Sequence, residues 1–130
     1  MLTFMRRDAR LETFDLTPWS SLPGTRLRAE DFRDGRLVQH QDDVTRPAGL
    51  AKHRATLEAA DLIFLDAAKD GTMERRLLES FEGLRLRRPL LVLDDIRLWN
   101  MLATWRDIRR PKLDLTSFGH WSGTGLVDWA

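Results

Sequence analysis

The 130-residue chain contains no cysteine, which excludes disulfides and thiolate metal sites and suits a reducing cytoplasm, the expected compartment. It also lacks an excess of either charge: 21 basic residues stand against 20 acidic ones, for a net charge of +1. Bulk attraction to nucleic acid or to an anionic membrane is therefore not expected. No apolar run approaches the length of a membrane span, and "MLTFMRRDAR" has no apolar core long enough for a signal peptide. Internal repeats and low-complexity segments are absent too. What remains is a composition of 42% apolar and 32% charged residues at the length of one domain, which predicts a soluble globular protein with a modest core.

The hydrophobic pattern predicts an alternation of strands and helices. "RLETFDL" (Arg10 to Leu16) reads as a short strand ending near Asp15, after which Thr17, Pro18 and Pro23-Gly24 break regular structure. "GRLVQHQDDV" reads as a second strand closing on Asp42 and Asp43. Pro47 suits the first turn of a helix in which Leu50 and Leu57 share a face. The unbroken Leu62-Ile63-Phe64-Leu65 predicts a strand covered on both faces, as in a parallel sheet. A helix bearing Met73, Leu77, Leu78 and Phe81 follows. "PLLVLDD" is the fourth strand, ending on Asp94 and Asp95, and the next helix carries Ile96, Trp99, Leu102, Trp105 and Ile108 on one stripe, with Trp99 and Trp105 expected in the core. Lys112 to Trp129 predicts an antiparallel hairpin turned by "GHWSGTG", in which His120 and Trp121 either line a pocket or pack as a corner. The pairs Arg6-Arg7, Arg87-Arg88 and Arg109-Arg110 read as solvated surface.

The fold class implied is α/β with a mostly parallel sheet, in which ligands bind at the carboxyl ends of the strands. Four successive strands end in aspartate: Asp15, Asp42 or Asp43, Asp66, and Asp94 with Asp95. Aspartate is also a common turn and capping residue, so each alone has a bland explanation. Together they predict an acidic edge along one sheet. Asp66, Asp94 and Asp95 offer three hard oxygen donors, the set magnesium takes, and such crowded carboxylates need a counter-charge. Lys69, three residues beyond Asp66, either acts as a general base over that metal or forms a salt bridge with Asp66 or Asp70.

"FLDAAKDG" followed by "LLVLDDIRLWN" resembles the metal-dependent catechol and caffeoyl-CoA O-methyltransferases, which are class I S-adenosylmethionine-dependent methyltransferases. In that family an Asp-x-x-Lys-Asp segment follows the fourth strand and an Asp-Asn pair, often near a Leu-Trp, follows the fifth. Here these are Asp66-x-x-Lys69-Asp70, and Asp94-Asp95 with Leu98-Trp99-Asn100; "DLTSFGHWSGTGLVDW" resembles the terminal hairpin of related enzymes. The resemblance runs from about Arg10 to the end and implies a Rossmann-like sheet. It implies Asp66 and Asp94 as magnesium ligands, with Asp95 in the place of the family's Asn. It implies Lys69 as the base that takes the acceptor's proton, Asp15 as the partner of the cofactor ribose, and Asp43 or Asp42 as the contact to adenine. The implied reaction is transfer of the methyl group of S-adenosylmethionine to one of two vicinal oxygens on a small molecule, oriented by Mg2+.

The family's first strand and Gly-rich loop should precede Asp15, and "MLTFMRRDARLETFDL" contains neither. The expectation is a single domain, 1–130, truncated at its N-terminus, with Met1 to Asp8 as the tail of the helix after that loop. In the family the first strand lies between the second and fourth, so its loss leaves a slot with unpaired backbone groups. Weak S-adenosylmethionine binding and low stability, or association through the slot, are expected. Two other readings stand beside an O-methyltransferase, complete or truncated. One is a non-catalytic remnant or partner-binding domain, including a homo-oligomer that repairs the sheet by exchange. The other is a magnesium-dependent phosphoryl-transfer domain of receiver type, in which the doubled acidic pair should precede the acceptor Asp instead of following it, as Asp94-Asp95 follows Asp66 here.

Overall fold

A computed structural model describes residues 5–119 and 121–130; His120 and the first half of the expected N-terminal helix tail lie outside the described residues. Met5 to Asp8 are not helical, and Ala9 N–H closes a turn on the Arg6 carbonyl at 3.0 Å. The chain forms two compact units, Met1–Gly49 and Leu50–Ala130.

In the first unit β1 (Leu11–Phe14) and β2 (Leu37–His40) pair in parallel, with Leu11 opposite Leu37 and Phe14 opposite His40. Parallel neighbours require a long crossover, usually helical. Pro18 and Pro23-Gly24 break the connection here, so that it holds only short 3₁₀ turns at Trp19–Ser21 and Ala29–Phe32. The Gln39 side chain ties the crossover to β2: its Oε1 accepts from Trp19 N–H at 2.8 Å and its Nε2 donates to the Thr17 carbonyl at 2.9 Å. Trp19 stacks on Phe32 and Phe14 on His40, each pair with centroids 5.0 Å apart.

Pro47 opens α1 (Pro47–Lys52), as expected of a residue with no N–H to satisfy. The helix breaks at His53, and a separate α2 (Arg54–Glu58) carries buried Leu57. The second unit then alternates β3 (Leu62–Leu65), α3 (Thr72–Glu82), β4 (Leu90–Asp94), α4 (Trp99–Asp107), β5 (Lys112–Asp114) and β6 (Thr124–Asp128). Its four strands lie in the order β3-β4-β6-β5. β3 and β4 are parallel, while β6 runs antiparallel to both β4 and β5. The predicted hairpin is therefore present, with its second strand inserted beside β4. The architecture is mixed α/β. The single edge expected to carry all four strand-end aspartates is instead divided, because β1 and β2 form their own two-stranded sheet.

The faces of the larger sheet differ sharply. Register places Leu65 beside Leu93 and Leu91 beside Val127, and Leu91, Leu93 and Val127 are almost fully buried. On this side Trp105 lies close over Gly125, where an added Cβ would come within 2.6 Å of the indole. Phe81 of α3 meets Trp129 edge-on, with centroids 6.1 Å apart. Leu77, Leu78 and Phe81 form the buried stripe of α3. Lys112 closes the C-terminus of α4 by donating to the carbonyls of Ile108 at 2.7 Å and Arg106 at 3.2 Å, satisfying acceptors a helix end leaves open.

The opposite face corrects the expectation of a sheet covered on both sides. Leu62 and Phe64 remain 55% and 56% exposed, and Leu113 across the sheet is similarly open. Leu65 on the other side is 8% exposed, so the continuous apolar run of β3 reflects one buried face and one bare one. Trp105 is in the core as expected, but Trp99 is not: it is the first residue of α4, and the buried positions are Met101, Thr104 and Trp105. Among the described residues no helix is long and apolar enough to cross a membrane.

The two faces predict opposite mutational costs. Leu93→Ala is expected to lower unfolding free energy by about 2–5 kcal/mol, and Phe64→Ser by about 0.5 kcal/mol or less. Chemical denaturation of both variants checks this; equal costs would contradict the assignment of faces.

Candidate functional site

The parallel register of β3 and β4 decides what their ends can do. Leu65 lies opposite Leu93, so the next residues, Asp66 and Asp94, emerge side by side at the carboxyl edge of the sheet. Asp95 follows in a left-handed conformation, φ 58°, which turns the chain sharply at the strand end. Each of Asp66, Asp94 and Asp95 offers a carboxylate oxygen within 4.8 Å of the others. The Lys69 ammonium lies among them: Nζ is 2.7 Å from Asp66 Oδ1, 3.4 Å from Asp94 Oδ2, and in close contact with Asp95 Oδ2. All four residues singled out for the metal-and-lysine cluster are thus brought together.

Lys69 reaches that position through a constrained loop. Its backbone is also left-handed, φ 59°, a conformation that is costly for a residue with a side chain. Glu74, 1% exposed in the first turn of α3, holds it there: one carboxylate oxygen accepts from Lys69 N–H at 2.8 Å and the other from Gly71 N–H at 3.0 Å. Gly71, φ 74°, allows close approach to α4, since a Cβ there would sit 2.3 Å from the Asn100 carbonyl oxygen. Thr104 of α4 donates to the Gly71 carbonyl at 3.1 Å. Asp70 does not pair with Lys69: its Oδ1 accepts from Thr72 and Met73 N–H, both at 2.8 Å, and those bonds lower its pKa.

The electrostatics of Lys69 are the reverse of those of a free base. Partial burial opposes its charge, but the hydrogen bonds it donates to Asp66 and Asp95 and the charges of Asp66 and Asp94 outweigh that, and its pKa is raised above the ordinary lysine value. The lysine is protonated throughout the neutral range. Its pairing contributes fully to stability below the ordinary lysine pKa and is lost only as pH climbs through the raised one.

The acidic residues expected to hold a cofactor belong to the first unit. Asp15 follows β1, and its Oδ1 accepts from Thr17 N–H at 2.7 Å in a local turn. Asp43 is committed to its own loop: Oδ1 takes Thr45 N–H at 2.9 Å and the Thr45 hydroxyl, Oδ2 takes Arg46 Nε at 3.0 Å, and the Thr45 hydroxyl leads the lowering of its pKa. Asp42 is half-buried beside it. Glu74 and Thr104 are the site-shaping residues that the sequence reading did not identify. The signal for Glu74 was available, a carboxylate three residues after a glycine that opens a helix; Thr104 gave only the hint of a hydroxyl within an apolar stripe. Outside the cluster, a shallow groove of about 290 Å³ lined by residues of α3 and α4 includes none of the four clustered residues. Compared with known family models, curated proteins and solved structures, the chain matches none.

Removal of the Glu74 carboxylate leaves two N–H groups without acceptors. Glu74→Ala is expected to destabilise the chain by about 1–3 kcal/mol, with Glu74→Gln in between because its single oxygen restores one acceptor. Calorimetric melting tests the order; a Glu74→Ala variant as stable as wild type would contradict the clamp.

Proposed function

We propose that the second unit carries the metal-and-lysine part of a magnesium-assisted O-methyltransferase site acting on a hydroxyl of a small molecule. The observation that carries this reading is the convergence of Asp66, Asp94, Asp95 and Lys69 at the ends of two parallel neighbouring strands. The strand arrangement supports it: the acidic ends lie on adjacent strands, and the terminal hairpin runs antiparallel beside β4, in keeping with a Rossmann-like methyltransferase sheet.

The donor set suits magnesium, which takes hard carboxylate oxygens and retains positions for water or substrate. Asp66, Asp94 and Asp95 would hold the ion, which supplies a Lewis acid for two vicinal oxygens. Once a cation takes the carboxylates and the ammonium has given its proton to water, Lys69 Nζ would be free to receive the acceptor's proton. The residues implied for S-adenosylmethionine fit less well. Both oxygens of Asp43 are occupied within its own turn, so no step is assigned to the cofactor here.

A second reading, a non-catalytic methyltransferase-like domain, is favoured by one observation: the Lys69 ammonium pairs with all three carboxylates and offsets part of their charge. Methyl transfer to a vicinal-diol acceptor, with S-adenosylmethionine in excess and Mg2+ varied, separates the two. The expected result is Mg2+-dependent transfer that falls at least about 100-fold in Asp94→Ala, a loss typical of a group acting at the reacting centre. A folded chain with no Mg2+-dependent transfer contradicts the enzymatic reading and leaves the non-catalytic one.

A further inference from the structure

We propose that the Lys69 ammonium and a divalent cation compete for one volume, so that the lysine is the site's resident counter-ion and the cation enters only by turning its side chain out. This rests on the metal reading above and concerns the regulation of that same site. The geometry is direct. Nζ contacts Asp95 Oδ2 and lies 2.7 Å from Asp66 Oδ1 and 3.4 Å from Asp94 Oδ2, the same carboxylates whose oxygens lie within 4.8 Å of one another. Magnesium would have to approach such oxygens to about 2.0–2.1 Å. Nζ cannot remain against the same atoms at that point, and two cations so close would repel strongly.

The rest of the loop confines this exchange to the side chain. Glu74 binds the backbone N–H of Lys69 and Gly71, and Thr104 binds the Gly71 carbonyl, so the main chain is anchored to both α3 and α4. The flexible lysine stem is free of that clamp, and the Asp66 side chain, 52% exposed, marks the side on which the cluster opens to water. At low divalent-cation concentration the lysine closes the cluster. At high concentration the ion takes the carboxylates, and the amine is displayed at the rim, where a bound acceptor would meet it. Cation level thus sets both whether the carboxylates are available and where the amine points.

The chain has three lysines, Lys52, Lys69 and Lys112, so competition is read residue by residue with an amine-acetylating reagent and peptide mass spectrometry. Wild-type protein is labelled in magnesium chloride and in sodium chloride at matched ionic strength. Lys69 is expected to react several-fold faster with magnesium, while Lys52 and Lys112 keep their rates. In parallel calorimetry, Lys69→Met is expected to bind Mg2+ at least about tenfold more tightly than wild type, because a competing unit charge is gone. If wild type binds Mg2+ but Lys69 labelling does not change, or if Lys69→Met binds no tighter, competition is overturned and the metal reading stands. If neither protein binds Mg2+, the metal reading falls and the inference with it. Should Lys69→Met fail to fold, the wild-type labelling decides alone.

Discussion

The feature on which the candidate site depends is one ammonium held among three carboxylates at the end of two strands. Asp66, Asp94 and Asp95 are brought within a few ångströms by backbone register, before any side chain chooses a rotamer. Carboxylates so close repel unless a cation lies between them. Lys69 supplies it, and the surrounding structure is arranged to keep it there. Among the described residues, two of the three non-glycine residues with left-handed backbone are Lys69 and Asp95, which face each other across the cluster. Such conformations persist only where neighbouring groups over-determine them. For Lys69 those groups are visible: the buried Glu74 carboxylate and, one step removed, Thr104 on α4.

The packing of the second unit explains why this edge is well defined. β4 carries Leu91 and Leu93 almost without exposure, and it lies between β3 and β6. α3 and α4 each begin just after one of the acidic strand ends, so the helices that cover the core also hold the loops of the site. Gly71 and Gly125 mark two places of close approach: the first against the Asn100 backbone, the second under the Trp105 ring. The exposed face of the same sheet, with Leu62, Phe64 and Leu113, contributes little to this arrangement and shows that an apolar strand need not be buried on both sides.

Much of this was legible in the residues themselves. Continuous apolar runs ending in aspartate predicted β3 and β4 and their parallel pairing; the Asp-x-x-Lys spacing placed Lys69 over Asp66; and "KLDLTSF" with "GLVDW" predicted the hairpin. Three things were not legible. Apolar periodicity does not report which face of a strand is covered, so β3 is expected to be covered on both faces although Leu62 and Phe64 lie open on one. Helical spacing put Trp99 in the core stripe, but α4 starts at that residue and leaves it exposed. The charge state of Lys69 depends on distances to three residues from two loops, which spacing along the chain does not give. The three carboxylates around it raise its pKa. Spacing along the chain likewise does not show that the Asp43 oxygens accept from Thr45 and Arg46.

The most direct test is crystallographic: the chain crystallised with and without manganese as a magnesium surrogate, the ion located by its anomalous scattering. Convergence of the three carboxylates predicts a single anomalous peak bounded by Asp66, Asp94 and Asp95, with Lys69 Nζ among them in the manganese-free crystal and turned away in the loaded one. A manganese peak elsewhere, or Lys69 unmoved beside an ion on these carboxylates, would contradict the shared volume.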